Sequence, residues 1–265
     1  MQIRENISEW LSPIDAFWAI QLIRKLNLFN VLEIGVYKGA WVAAVLDNIP
    51  ESKCFGIDPY PGLKNIEETM NKELMNYKSQ NRFKLFSNVF QLDSRLKFNI
   101  CHIDGEHSEE ALKNDLNQSY IRLLDGGIIV IDDFMNRIFP GVTSSTIIEA
   151  VKLDLKPILI TEHKIYLVKS KDHVDLMRIV YEIRDEFDLG VSSEYRNGSY
   201  GESYSQDGKV LGVNPFIQAR MNNYKIYDLL NMNLSFSRIF RSALYFITPP
   251  LFKIFWVHII RIFRH

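Results

Sequence analysis

Two short stretches gather the residue types that proton and metal chemistry need. In HIDGEHSEE, residues 102–110, Asp104, Glu106 and His107 fall within four positions, directly after the apolar run Phe98-Asn99-Ile100-Cys101. In GIIVIDDF, residues 127–134, Asp132 and Asp133 close a second apolar run. Three carboxylates brought together repel one another unless a cation neutralises them or water solvates them. Oxygen donors suit a hard divalent ion such as Mg²⁺, which keeps positions open for water and substrate oxygens. His107 follows Asp104 by three positions, and its imidazole can take a proton from a hydroxyl that a metal has acidified. The plain alternative is an acidic strand end and a solvated helix start. The chemical reading gains because both sets fall at strand ends that should be neighbours. Glu106 reads as solvent-facing, His102 as a satisfied core histidine, and His163 as an exposed turn residue.

A third stretch suits a nucleoside ligand. In LEIGVYKG, Gly35 and Gly39 allow a tight strand-to-helix turn whose backbone can approach a ligand closely. Glu33 sets a carboxylate beside that turn, suited to an ammonium group. Asp58 ends the next apolar run and can accept hydrogen bonds from both hydroxyls of a ribose. The spacing is E-x-G-x-x-x-G rather than G-x-G-x-x-G, so the pyrophosphate cradle of a nicotinamide enzyme is incomplete. Taken singly, these are a glycine turn and two acids, as any α/β fold can show. Their order along the chain favours cofactor binding.

The elements that must position these groups alternate. Runs at 30–35, 53–58, 82–86, 98–104 and 127–132 read as strands, and stretches at about 39–48, 64–79 and 108–124 read as helices. Ser108 can cap the third helix, Glu109 and Glu110 suit its positive end, and Leu112, Leu116, Tyr120 and Leu123 form its apolar stripe. Asp125-Gly126-Gly127 reads as its left-handed stop. Such alternation implies a parallel, doubly wound sheet with helices on both faces and ligands at the carboxyl ends of its strands. After a helix at about 142–154, PILITE (157–162) and KIYLVK (164–169) follow too closely for parallel strands, so they form an antiparallel hairpin. Five parallel strands and a closing hairpin make a seven-stranded, mostly parallel sheet. That is the Rossmann-like variant used by class I S-adenosylmethionine-dependent methyltransferases.

VLEIGVYKG, FGIDPY, HIDGEHSEEALKNDL, LLDGGIIVIDDF and FPGV together resemble the small class I methyltransferases that include the macrocin-type sugar O-methyltransferases. The chain is similar, more distantly, to the catechol-type metal-dependent O-methyltransferases. The resemblance covers about residues 28–170. It implies that Asp104, Asp132 and Asp133 bind Mg²⁺ or another divalent cation and that His107 is the general base. It also implies that Glu33, Gly35 and Asp58 contact S-adenosylmethionine, with Gly39 and Asp104 counted among the cofactor-binding residues. The same resemblance implies that Ser87, after the third strand, approaches the adenine. The catechol-type enzymes carry Asp-Asn where this chain has Asp132-Asp133. The acceptor implied is a sugar, a glycan or another small hydroxylated molecule. The family also contains members described as hydroxylases, so a hydroxylase or oxidoreductase on the same fold is the competing enzyme reading. A non-catalytic nucleoside-binding module is the third.

With 265 residues, 47% of them hydrophobic, the chain can bury a full core. It divides into a methyltransferase domain over 1–170, a helix plus a Gly/Tyr/Ser-rich loop over 171–220, and a basic, aromatic helical tail over 221–265. Loop 190–215 reads either as a lid over the site or as a linker. A net charge of −1 offers nucleic acid no global attraction, and none is expected as a partner. Cys54 and Cys101 lie in apolar runs and read as core thiols of a reducing compartment. MQIRENISEW lacks a signal-peptide pattern, and no run of about 18 apolar residues is free of charge, so a cytoplasmic location is expected. Residues 234–265 mix aromatic and aliphatic residues with arginine and lysine. They suit either an anionic membrane surface, at the inner face, or a homo-oligomer contact.

Overall fold

The computed structural model describes residues 11, 13–60, 63–161 and 163–187. The loop at 190–215 and the tail at 221–265 lie outside the described residues. In chain order the elements are α1 (Pro13–Leu26), β1 (Asn30–Ile34), α2 (Ala40–Asn48), β2 (Lys53–Ile57), α3 (Lys64–Ser79), β3 (Phe83–Phe86), β4 (Phe98–Ile103), α4 (Glu109–Arg122), β5 (Leu123–Ile131), α5 (Pro140–Lys152), β6 (Leu155–Ile160), β7 (Ile165–Lys169) and α6 (His173–Glu186). The seven strands form one sheet in the order β3-β2-β1-β4-β5-β7-β6. Strands β1 to β5 pair in parallel, and β7 runs antiparallel to both β5 and β6. The strand order reverses between β1 and β4, which places the ligand crevice beyond the carboxyl ends of those two strands.

The central strands are apolar on both sides because helices flank them. Val31, Leu32, Ile100, Cys101, Ile128, Ile129, Val130, Ile131 and Val168 are fully enclosed. Each large aliphatic side chain so buried contributes roughly 1.5–3 kcal/mol. Helix α1 packs on α2 and α6, α2 packs on α3, and α4 packs on α5. Phe17 of α1 meets Trp18 and Phe187 edge to face, which joins the first helix to the last. Arg82 donates to the carbonyls of Leu46, Ile49 and Ser52, and so closes the C-terminal end of α2 against the start of β3.

Two readings of the sequence change here. Helix α1 was not recognised as a helix, yet it supplies core residues Ile14, Phe17, Trp18 and Ile20 and the buried acid Asp15. Asp125-Gly126-Gly127 does not stop α4. The helix ends at Arg122, and Leu123 is already extended, with φ −74° and ψ 128°. The glycines form an irregularity inside β5: Phe98 pairs with Leu123 and Ile100 with Ile128, so two steps along β4 face five along β5. Gly126 takes the positive φ (+69°) that the extra residues require. Among the described residues, no helix is long and apolar enough to cross a membrane.

Candidate active site

The turn after β1 sits directly on the end of β4. Gly35 has φ +87°, and a Cβ there would lie 1.9 Å from the carbonyl oxygen of Asp104. Only glycine permits that approach. The same turn is held from the other side by β2. Asp58 accepts the backbone N–H groups of Val36 and Tyr37 on Oδ2, at 3.1 and 2.9 Å, and that of Tyr60 on Oδ1 at 2.9 Å. The Tyr60 hydroxyl donates to the Tyr37 carbonyl. Asp58 thus organises the turn that a nucleoside would meet, and a carboxylate with three such bonds retains acceptor capacity for a ligand hydroxyl. Gly39 (φ +78°) opens α2, and a Cβ there would crowd Leu74 of α3. Ser87 lies exposed just beyond β3, with its backbone N–H on the side chain of Gln91.

The two acidic strand ends meet because β4 and β5 are paired neighbours. The backbone N–H of Asp132 donates to the carbonyl of Ile103, and that of Asp104 to Ile34. Donor atoms of Asp104, His107 and Asp133 lie within 4.8 Å of one another, and so do those of His102, Asp104 and Asp132. Asp104 is common to both groups. Asp133 sits at φ +54°, a left-handed conformation that aspartate tolerates better than most residues. It is held there by Asn136, which donates to its Oδ1 at 2.7 Å. His107 Nε2 stands 2.9 Å from Asp133 Oδ2. The approach lies off the line of an N–H donor, so this ring nitrogen is close to a charge yet has no aligned hydrogen-bond partner. Phe139 stacks on the imidazole at 4.0 Å and fixes its plane.

Beneath this pair lies a second layer, in which Glu33, His102 and Lys164 are buried and Asp132 is partly buried. Glu33 Oε1 is 3.0 Å from His102 Nδ1, His102 Nε2 is 2.9 Å from Lys164 Nζ, and Lys164 Nζ is 2.5 Å from Asp132 Oδ2. Trp41 stacks on the His102 ring at 4.3 Å. Burial, and then the Lys164 charge, push His102 well below its ordinary range, so the ring is neutral. Burial opposes the charge on Lys164 as well, but Asp132, Asp104 and Asp15 outweigh it and hold the ammonium protonated. Asp132 follows the same balance: burial disfavours its ionisation, and Lys164, by its charge and its hydrogen bond, overcomes that and keeps it ionised. Asp104 is raised well above the usual carboxylate range, first by burial and then by Asp132. Burial likewise raises Glu33, and its second oxygen, Oε2, has no partner.

The site residues singled out from the sequence, apart from Ser87, therefore lie around the ends of β1, β4 and β5 or in and against the turn after β1. Lys164 and Asp15 were not among them. Antiparallel pairing of Ile131 with Ile165 puts Lys164 opposite Asp132, so the lysine just before the seventh strand was the available signal. Asp15 is tied by the Thr161 hydroxyl, 2.6 Å from its Oδ1, and its signal was hidden in an unrecognised helix. His102 is a satisfied core histidine, as its apolar surroundings suggested, but its two partners are both charged-type side chains of the site.

Residues 32–134, from β1 to just past β5, match the model of a family described as a methyltransferase domain. Over 114 residues, 40% of this chain, 27% of positions are identical to Uncharacterized protein R132 of Acanthamoeba polyphaga mimivirus, and the chain spans about half (51%) of that curated relative's length. The fold is similar to that of an O-methyltransferase from Bacillus cereus solved in complex with SAH (TM-score 0.51, 11% identity, 60% of this chain and 82% of that one). It is similar also to the SAH-bound methyltransferase PaMTH1 of Podospora anserina (TM-score 0.50, 13% identity, 63% of this chain and 82% of that one). At such identities the likeness is one of fold. The mixed seven-stranded sheet with flanking helices is the Rossmann-like fold of class I methyltransferases. The matched segment carries β1 to β5 and covers less than half of the chain.

Proposed function

We propose that the chain is an S-adenosylmethionine-dependent, metal-assisted O-methyltransferase that acts on a hydroxyl of a sugar, a glycan or another small hydroxylated acceptor. The observation that carries this reading is the joining of an acid–imidazole cluster to the glycine turn, through the contact of Gly35 with Asp104. The site suits a divalent cation on its own chemistry. Asp104 is raised by burial beside Asp132, a condition that a cation would relieve, and the donors within reach are carboxylate oxygens and imidazole nitrogens. Asp104, Asp132 and Asp133 would hold the ion, with Lys164 already occupying one side of Asp132.

When bound, S-adenosylmethionine supplies an electrophilic methyl group and the cation lowers the pKa of an acceptor hydroxyl. The remaining work falls to the protein. His107 Nε2 accepts the hydroxyl proton, and Asp133 at 2.9 Å stabilises the imidazolium so formed. Phe139 keeps the ring in one orientation and shields one of its faces from water. Gly35 would let the turn approach the nucleoside, Asp58 holds that turn and would offer its remaining acceptor capacity to the ribose, and Ser87 would meet the adenine. Glu33 places its free oxygen at the base of the crevice.

The test is calorimetric titration of S-adenosylmethionine into the full chain, in chelator and again with Mg²⁺. Saturable micromolar binding, followed by methyl transfer in a screen of sugars and vicinal diols, supports the proposal. Binding without transfer to any hydroxylated acceptor favours the nucleoside-binding module, and absence of binding in both conditions removes the cofactor.

A further inference from the structure

We infer that Lys164 is a positioning residue, which locks the acceptor-side carboxylate Asp132 and, through one tautomer of His102, the cofactor-side carboxylate Glu33. The inference rests on the function proposed above for what the two ends hold, but its geometry does not. Three strands carry the chain of contacts. Glu33 on β1 is the register partner of His102 on β4. His102 pairs in turn with Val130 on β5, two residues before Asp132. The antiparallel pairing of Ile131 with Ile165 then brings Lys164 across from Asp132.

The chemistry of the donors fixes a direction. An ammonium group has hydrogens to give and no lone pair to receive. At 2.9 Å from Lys164 Nζ, His102 Nε2 must therefore be the acceptor nitrogen. In a neutral ring the proton then sits on Nδ1, which donates to Glu33 Oε1 at 3.0 Å. One lysine thus makes His102 Nδ1 the donor to Glu33, whose other oxygen, Oε2, has no partner. It also takes Asp132 Oδ2, leaving Oδ1 to receive the Asp133 backbone N–H at 2.8 Å.

Lys164 itself has little freedom. Its side chain is 3% exposed, its backbone N–H donates to Thr161 Oγ1 at 3.0 Å, and its carbonyl accepts the Thr161 backbone N–H at 2.8 Å. The same threonine hydroxyl donates to Asp15 on α1, and Trp41 stacks on the His102 ring from α2. With its backbone pinned by Thr161 and its ammonium held between His102 and Asp132, the lysine is fixed in place. It carries the orientation of one strand end to the other across the sheet, much as the outer partners of metal-binding side chains orient them.

The tautomer can be read directly. In protein labelled with ¹⁵N-histidine, His102 is assigned by comparison with the His102→Gln variant. Its Nδ1 should resonate as a protonated nitrogen and its Nε2 as an unprotonated one. In Lys164→Met that distribution should change, and Lys164→Arg should restore it. A wild-type ring protonated on Nε2, or a ring unchanged in Lys164→Met, overturns the inference, and the wild-type spectrum decides even where the variant fails to fold. The second readout is calorimetric titration of S-adenosylhomocysteine. A Lys164→Met protein with native near-ultraviolet circular dichroism should bind it roughly tenfold more weakly, with Lys164→Arg in between. Unchanged affinity in that folded variant also overturns the inference. Wild-type protein that binds no S-adenosylhomocysteine overturns the cofactor reading instead, and the spectrum alone then decides the role of Lys164.

Discussion

The α-carbon of Gly35 faces the carbonyl of Asp104 so closely that a methyl group on it would lie 1.9 Å from that oxygen. The turn that would meet a nucleoside and the strand end that carries the first acid are therefore one packed unit.

Gly35→Ala must both abandon φ +87° and push back the backbone of β4. A loss of roughly 3 kcal/mol is expected from overpacking and backbone strain together. Urea unfolding of the two proteins measures it. Near-equal midpoints would mean that the turn can relax away from β4.

His107→Ala removes the proposed base but no contact of the glycine turn. Turnover should fall by about 10²–10⁴-fold with S-adenosylhomocysteine affinity nearly unchanged. A parallel loss of affinity would take His107 out of the base role.

Asp132→Asn removes the charge that balances a buried lysine. Breaking such a pair from one side costs about 3 kcal/mol, and the loss should appear without added metal. The Mg²⁺ dependence of activity should also weaken. A variant of wild-type stability and wild-type metal response would mean that Asp132 serves neither purpose.

Asp115 on α4 is pushed up to about 6, first by burial and then by Glu106. A carboxyl raised in the folded state binds its proton more tightly there than in the unfolded chain. Stability from this group is therefore present at low pH and is lost as pH rises from about 4 through 6. Asp115→Asn should abolish that slope and stabilise the protein at pH 7 by on the order of 2 kcal/mol. Thermal unfolding of both proteins across this range gives the comparison, and identical pH profiles would contradict the expected shift.

Both described cysteines are enclosed. Burial pushes the Cys101 thiol up to about 12 and Cys54 higher still. Neither should react with a thiol reagent at pH 8 until the protein unfolds. Rapid labelling under native conditions would show that the sheet opens locally.

Much of the site was legible because strand ends in a doubly wound sheet are marked by composition. β-branched and aliphatic runs stop where the chain leaves the core, so Asp58, Asp104 and Asp132 announce themselves as acids at those stops, while Glu33 stands one residue inside the end of β1. Ser108 does cap α4, accepting from the Ala111 backbone N–H, because a hydroxyl before an acidic first turn is a local signal. The adjacency of Asp104 and Asp132 followed from strand order alone.

What needed tertiary structure was every relation set by register or by a distant partner. Gly126 looks like a helix stop in sequence, but the packing of β5 on β4 turns it into a strand irregularity. Asp58 looks free for a ribose, yet it spends two bonds on the turn after β1 and a third on Tyr60. Lys164 is one lysine among many until the hairpin register sets it against Asp132, and Asp15 stays invisible until α1 folds over it. The sequence by itself determined which residues end the strands, because burial sorts apolar from polar locally. Only the folded sheet decided which of those charges face one another, because Coulomb and hydrogen-bond partners here are tens of residues apart in the chain.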